Sequence, residues 1–126
     1  MVDSSGSLKK ILIVDDDEAI LRMMKRRLEQ DGYVVATETS GPAAVAAAKN
    51  SKFLAVLLDL HMEGMDGFEI LRRLREARPT LPVIMVTGSH DEEEARRTFD
   101  LGAWDYVTKP IDFNYLKNVL MLQSPE

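Results

Sequence analysis

The chain has 126 residues, 45% hydrophobic and 29% charged, with a formal net charge of −5 and no cysteine. That length suits a single domain with a buried core. The absence of cysteine excludes disulfides, thiolate nucleophiles and zinc–cysteine sites and fits a reducing, cytoplasmic setting. No apolar run exceeds six residues, so no segment spans a bilayer as a helix, and the acidic balance argues against a nucleic-acid binder.

The chain opens on "MVDSSGS", a polar stretch without the apolar core of a signal peptide, and residues 1–8 are expected to form a disordered tail. "KKILIV" (9–14) predicts a buried strand. A helix is predicted over 17–32, with Ile20, Leu21, Met24 and Leu28 on one face and Gly32 as its stop. "YVVAT" (33–37) is a second strand, and Gly41-Pro42 opens an alanine-rich helix to residue 50. "FLAVLL" (53–58), apolar throughout, reads as a strand buried on both faces. It ends on Asp59, and the following "HMEGMDG" is expected to be a loop. A helix is predicted over 68–77, with Phe68, Leu71 and Leu74 on one face. "LPVIMVT" (81–87) is a fourth strand. Residues 91–100 predict a short helix whose acidic first turn suits the helix dipole. "WDYVT" (104–108) is a fifth strand. A last helix over 113–122 has Leu116, Val119 and Leu120 as its inner face. Five strands alternating with five helices predict an α/β, flavodoxin-like (βα)5 three-layer sandwich with right-handed crossovers and a parallel sheet of order 2-1-3-4-5.

In that architecture ligands bind beyond the carboxyl ends of the strands. Asp15, Asp16 and Asp17 follow the first strand and Asp59 follows the third. The fourth ends in Thr87 and the fifth in Thr108-Lys109-Pro110. Clustered carboxylates repel one another, and a divalent cation relieves the conflict. Magnesium takes oxygen ligands, commonly one or two carboxylates plus phosphate oxygens. The cluster therefore points to a Mg2+ site awaiting a phosphoryl group, with Lys109 and the Thr87 hydroxyl serving its outer oxygens. Asp59, on the central strand, is the candidate nucleophile for an aspartyl phosphate.

The motifs "LIVDDD", "LLDLHMEGMDG", "VTG" and "VTKP", in this order and spacing, strongly resemble the receiver domain of two-component response regulators. The resemblance covers residues 9–122 and leaves short tails at 1–8 and 123–126. It implies that Asp59 is the phosphoacceptor, that Asp16 ligates the metal directly, and that Asp15 acts on it largely through water. It implies that the main-chain carbonyl of His61 is a further ligand and that Thr87 and Lys109 contact the phosphoryl group. It also implies a cis Lys109–Pro110 peptide and a switch pair formed by Thr87 and Tyr106. The implied role is phosphorelay signalling. A phosphohistidine on a sensor histidine kinase or phosphotransfer protein donates to Asp59, and the surface of the fourth helix, fifth strand and fifth helix then changes to control an output domain or target protein. The domain would catalyse only its own phosphotransfer and slow autodephosphorylation, with no direct role for nucleic acid or membrane. Receivers usually have proline where this chain has Glu63. Glu63→Pro is expected to leave phosphorylation possible and to make that loop more ordered.

Plainer readings exist for each residue taken alone. One of Asp15–Asp17 is expected to cap the first helix, and Asp59 could be a turn residue. Thr87 could be an ordinary strand-end threonine and Lys109 a solvated lysine. Trp104 and Tyr106 could simply pack on an edge strand. Arg72, Arg73, Arg75 and Arg78 read as a solvated helix face. Lys25, Arg26 and Arg27 read as the same or as a docking patch for an acidic partner. Neither His61 nor His90 sits in an imidazole-ligand pattern. His61 and Ser89 are expected to flank the phosphoryl site.

Three rival functions remain from other classes. A haloacid-dehalogenase-type phosphohydrolase wants a second aspartate where His61 stands. A flavodoxin wants a phosphate-cradling loop where the three aspartates stand. A metal-free pseudo-receiver would not need the complete acidic set.

Overall fold

The structure, a computed structural model, describes residues 9–123. In chain order the elements are β1 (Lys10–Val14), α1 (Glu18–Gln30), β2 (Val34–Glu38), α2 (Gly41–Asn50), β3 (Ala55–Leu58), β4 (His61–Met62), β5 (Met65–Asp66), α3 (Gly67–Ala77), β6 (Val83–Thr87), α4 (Glu92–Asp100), β7 (Asp105–Thr108) and α5 (Phe113–Met121). Five of the strands form one parallel sheet in the order β2-β1-β3-β6-β7. Set aside the short β4–β5 pair and this is the flavodoxin-like order 2-1-3-4-5 expected from the sequence. Of the expected tails at 1–8 and 123–126, residues 1–8 and 124–126 lie outside the described residues. Gln123 is tied to the end of α5, its N–H donating to the Leu120 carbonyl and its side-chain amide to the Val119 carbonyl, both at 3.1 Å.

The central strands are apolar on both faces because helices cover both. Successive side chains alternate sides of the sheet. Ile11, Ile13, Leu57, Ile84 and Val86 join Leu21, Met24, Leu28, Leu116 and Leu120 of α1 and α5 on one side. Leu12, Val14, Val56, Leu58, Val83 and Met85 join Ala44, Ala48, Leu71 and Leu74 of α2 and α3 on the other. Short polar side chains start every helix, as N-caps should: Asp17, Ser40, Asp66, Asp91 and Asp112 each accept from main-chain N–H groups of the first turn. Helix α4 has the fewest buried residues of the five helices, Thr98 alone.

Two expectations need correction. "HMEGMDG" is not irregular: β4 and β5 pair antiparallel, Met62 opposite Met65, around a two-residue turn whose Gly64 has φ +71°. The four bounding residues are too few for period-two patterning to show in sequence. Arg75 and Arg78 are not simply a solvated face. Arg75 donates to the Leu81 carbonyl at 3.1 Å, and Arg78 donates to the carbonyls of Ala48 and Lys49, closing the end of α2. Arg72 and Arg73 do pair along the exposed face with Glu69 and Glu76. In the basic run of α1, Arg27 stacks over the Phe113 ring at 4.9 Å and so joins α1 to α5.

Candidate functional site

Register brings the acidic residues together. Val14 and Leu58 are partners across β1 and β3, so the residues after them, Asp15 and Asp59, emerge side by side. The Asp59 N–H donates to the Val14 carbonyl at 2.9 Å. Thr87 and Thr108 are partners across β6 and β7, which places Lys109 at the same rim, its N–H donating to the Thr87 carbonyl at 2.7 Å.

Asp15, Asp16 and Asp59 each offer a carboxylate oxygen within 4.8 Å of the others. Asp15 and Asp59 are buried and Asp16 is exposed. Main-chain N–H groups orient all three: Asp17 to Asp15 Oδ1 at 2.9 Å, His61 to Asp59 Oδ1 at 3.1 Å, and Glu63 to Asp16 Oδ2 at 2.8 Å. Lys109 Nζ lies 2.9 Å from Asp15 Oδ2 and 3.5 Å from Asp59 Oδ2. Burial pushes the Asp59 carboxyl above the ordinary aspartate range, against the opposing pull of the His61 N–H and the Lys109 charge. Burial alone would lower the Lys109 ammonium. The hydrogen bond to Asp15 and the charges of Asp59 and Asp15 outweigh it and hold Lys109 protonated. The donor set is all oxygen and carries more negative charge than one ammonium neutralises. Those are the conditions for a hard divalent cation, so these residues fit Mg2+.

The other expected residues stand as follows. Thr87 is fully buried, and its Oγ1 accepts from the Ser89 N–H at 3.2 Å. Tyr106 is half-buried among the residues on the α2–α3 side of the sheet, and its hydroxyl donates to the Ser89 carbonyl at 3.2 Å. The Lys109–Pro110 peptide is cis. Asp17 serves as the N-cap of α1 and stands apart from the three-carboxylate group. The His61 side chain turns away to α4, its Nε2 sitting 2.9 Å from Glu94 Oε1.

Glu94 was not singled out by the sequence. The same Oε1 accepts from Ser89 Oγ at 2.6 Å. The two hydrogen bonds, from Ser89 first and His61 second, hold the Glu94 carboxyl below the usual glutamate range. Its only advance signal was the acidic first turn of α4, which the helix dipole already explains. The Glu63 N–H was equally illegible, because a side-chain letter says nothing of where its main-chain donor points.

A doubly wound sheet with carboxylates, a hydroxyl and an ammonium gathered at its carboxyl rim defines the class. The sequence pattern of the response regulator receiver domain matches residues 11–121, and the chain belongs to that family. It is 40% identical over 106 residues to the uncharacterized transcriptional regulatory protein YkoG of Bacillus subtilis, a stretch covering 84% of this chain and 46% of that protein. It is 37% identical over 102 residues to the alkaline phosphatase synthesis transcriptional regulatory protein PhoP of the same organism, covering 81% and 42%. The chain thus spans less than half the length of these relatives. Among solved structures, a CheY-like receiver domain protein from Methanospirillum hungatei superposes with a TM-score of 0.84 at 36% identity, covering 91% of this chain and 95% of that one. A Burkholderia pseudomallei response regulator with a phosphorylated aspartic acid, calcium ion and citrate superposes with a TM-score of 0.84 at 27% identity, covering 89% and 66%. The chain is a receiver domain of two-component signalling. No helix among the described residues is long and apolar enough to cross a membrane.

Proposed function

We propose that Asp59 of this chain is the phosphoacceptor and that Asp15, Asp16, Asp59 and the His61 main-chain carbonyl hold Mg2+ beside it. The supporting observation is the group of three carboxylates within 4.8 Å of one another, with Lys109 Nζ 2.9 Å from one of them. A phosphorylated aspartic acid with a calcium ion in the Burkholderia relative supports the same reading.

The donor is a phosphohistidine of a sensor histidine kinase or phosphotransfer protein. An Asp59 carboxylate oxygen forms the new P–O bond as the P–N bond breaks, and the imidazole leaves with the electron pair. Bound Mg2+ supplies the positive charge that lets carboxylates and phosphoryl oxygens share the site. Lys109 gives a fixed ammonium to the outer phosphoryl oxygens. Thr87 moves its hydroxyl toward another, and Tyr106 follows inward. Its hydroxyl and Thr87 are already connected, because both bond Ser89.

Helix α4 is the element suited to shift, since local stability follows buried apolar contacts and α4 buries little. The outcome is a population shift of the α4–β7–α5 face that controls an output domain or target protein. Residues 9–122 form the switching unit, working in the cytoplasm. The chain catalyses nothing beyond its own phosphotransfer and slow autodephosphorylation.

The test is NMR of the protein titrated with Mg2+ and then with beryllium trifluoride, a phosphoryl mimic. Amide shifts at Thr87, Ser89 and Tyr106 that require both additions support the reading. Shifts confined to other parts of the sheet rim overturn it.

A further inference from the structure

His61 stands two residues past Asp59, and Ser89 stands two residues past Thr87. Asp59 and Thr87 end on neighbouring strands, because β3 and β6 pair directly. One oxygen atom, Glu94 Oε1, bonds both His61 Nε2 and Ser89 Oγ, at 2.9 and 2.6 Å. The Glu94 carboxylate therefore ties the loop after Asp59 to the loop after Thr87 and both to the first turn of α4. Ser89 is the hub on the other side. Its N–H holds Thr87 Oγ1, its carbonyl holds the Tyr106 hydroxyl, and its Oγ also accepts from the Asp91 N–H at 3.2 Å.

We propose that Glu94 is a positioning residue for phosphorylation, a clasp that holds Ser89, and through it Thr87, in the unphosphorylated arrangement. The inference rests on Asp59 accepting the phosphoryl group. Movement of Thr87 toward Asp59 has to stretch the Ser89 N–H···Oγ1 bond or pull Ser89 along. Glu94 opposes the second course because it anchors Ser89 Oγ to α4 and His61 at once. Hydrogen bonds to a charged acceptor are the stronger kind. Here His61 is exposed and Glu94 partly so, and solvent reduces their worth. The clasp touches none of the carboxylates of the acidic group and reaches His61 through its imidazole, not through the main-chain carbonyl proposed as a ligand, so Mg2+ binding should not feel it.

The test is the rate of phosphorylation by acetyl phosphate at saturating Mg2+, with Mg2+ affinity measured in parallel. Glu94→Ala should phosphorylate roughly three- to tenfold faster than the parent, the span set by one charge-assisted hydrogen bond partly screened by solvent. Its Mg2+ affinity should stay at the parent value. Glu94→Gln keeps an amide oxygen that accepts from Ser89 but loses the charge assistance, and its rate should fall between the parent and Glu94→Ala. Ser89→Ala should reproduce the acceleration, and the double variant Glu94→Ala/Ser89→Ala should add nothing, as expected for two halves of one contact. A parent-like rate in Glu94→Ala, an additive double variant, or a Mg2+ affinity that moves with the rate overturns the clasp. A parent that takes no phosphoryl group at all overturns the reading of Asp59 itself, and the clasp falls with it.

Discussion

Lys109 donates to Asp15 at 2.9 Å although 94 residues separate the two in sequence. Asp15 is almost wholly buried and Lys109 is about one-quarter exposed, so the pair sits at the rim of the sheet rather than in open solvent. The ammonium occupies the place of part of the charge that a cation would supply. Lys109→Ala should therefore leave Mg2+ binding intact, at least as tight as in the parent. Without metal the variant should lose about 1–3 kcal/mol, because a buried carboxylate is left without its partner. The spectral changes that phosphorylation induces at Tyr106 should shrink. Calorimetric Mg2+ titration and NMR of the phosphorylated variant check this, and parent-like shifts at Tyr106 would contradict it.

Asp59 carries a stability cost of definite sign. Its folded-state pKa lies above that of the unfolded chain, chiefly through burial. The folded state therefore takes up the proton more readily, and ionised Asp59 weakens the fold. That penalty is absent below the unfolded pKa, grows as pH rises, and is complete above the raised folded pKa. Metal-free Asp59→Asn should thus be more stable than the parent at neutral pH, by about 1 kcal/mol, the scale of an ordinary substitution. The difference should shrink as pH falls through the raised folded pKa and vanish only below the unfolded aspartate pKa. Mg2+ should raise the Tm of the parent and barely move that of the variant.

Glu63→Pro tests a revised expectation. From sequence, proline promised a stiffer loop. In the structure the Glu63 N–H donates to Asp16 Oδ2 at 2.8 Å, and proline has no N–H to give. The variant should still accept a phosphoryl group, but metal-free residues 61–66 should become more mobile by NMR relaxation, not less. A loop more ordered than in the parent would restore the simpler reading.

Gly67 closes the loop against the chain just after Asp59. A Cβ there would lie 2.2 Å from the Leu60 carbonyl oxygen, a main-chain atom that cannot swing aside. Gly67→Ala should cost about 2–3 kcal/mol, the upper part of the range for overpacking, and should slow phosphorylation by displacing Leu60. Gly88 is the control, since a Cβ there meets nothing within 4 Å. Chemical denaturation of the two alanine variants separates the effects.

The parts of the fold that burial dictates were legible in the chain. The apolar runs of β1, β3 and β6 and the helical spacing of Leu21, Met24 and Leu28 settle a doubly wound sheet. Strand-end placement then brings Asp15, Asp59, Thr87 and Lys109 to one rim. Two kinds of feature were not legible. Contacts made by the main chain, such as the Glu63 N–H to Asp16, leave no mark on residue identity. Long polar side chains with several possible partners, such as Glu94, Arg75 and Arg78, choose among them only once the tertiary structure exists. The β4–β5 pair was missed because two-residue strands have no periodicity, and only Gly64 hinted at a turn.

The most direct test of the central claim is the intact mass of the protein after incubation with acetyl phosphate, with and without Mg2+, for the parent and for Asp59→Asn. One added phosphoryl group on the parent, only with Mg2+, and none on Asp59→Asn is the expected result. An equal addition to Asp59→Asn, or none to a parent that binds no Mg2+, would contradict the assignment of Asp59 and its carboxylate neighbours.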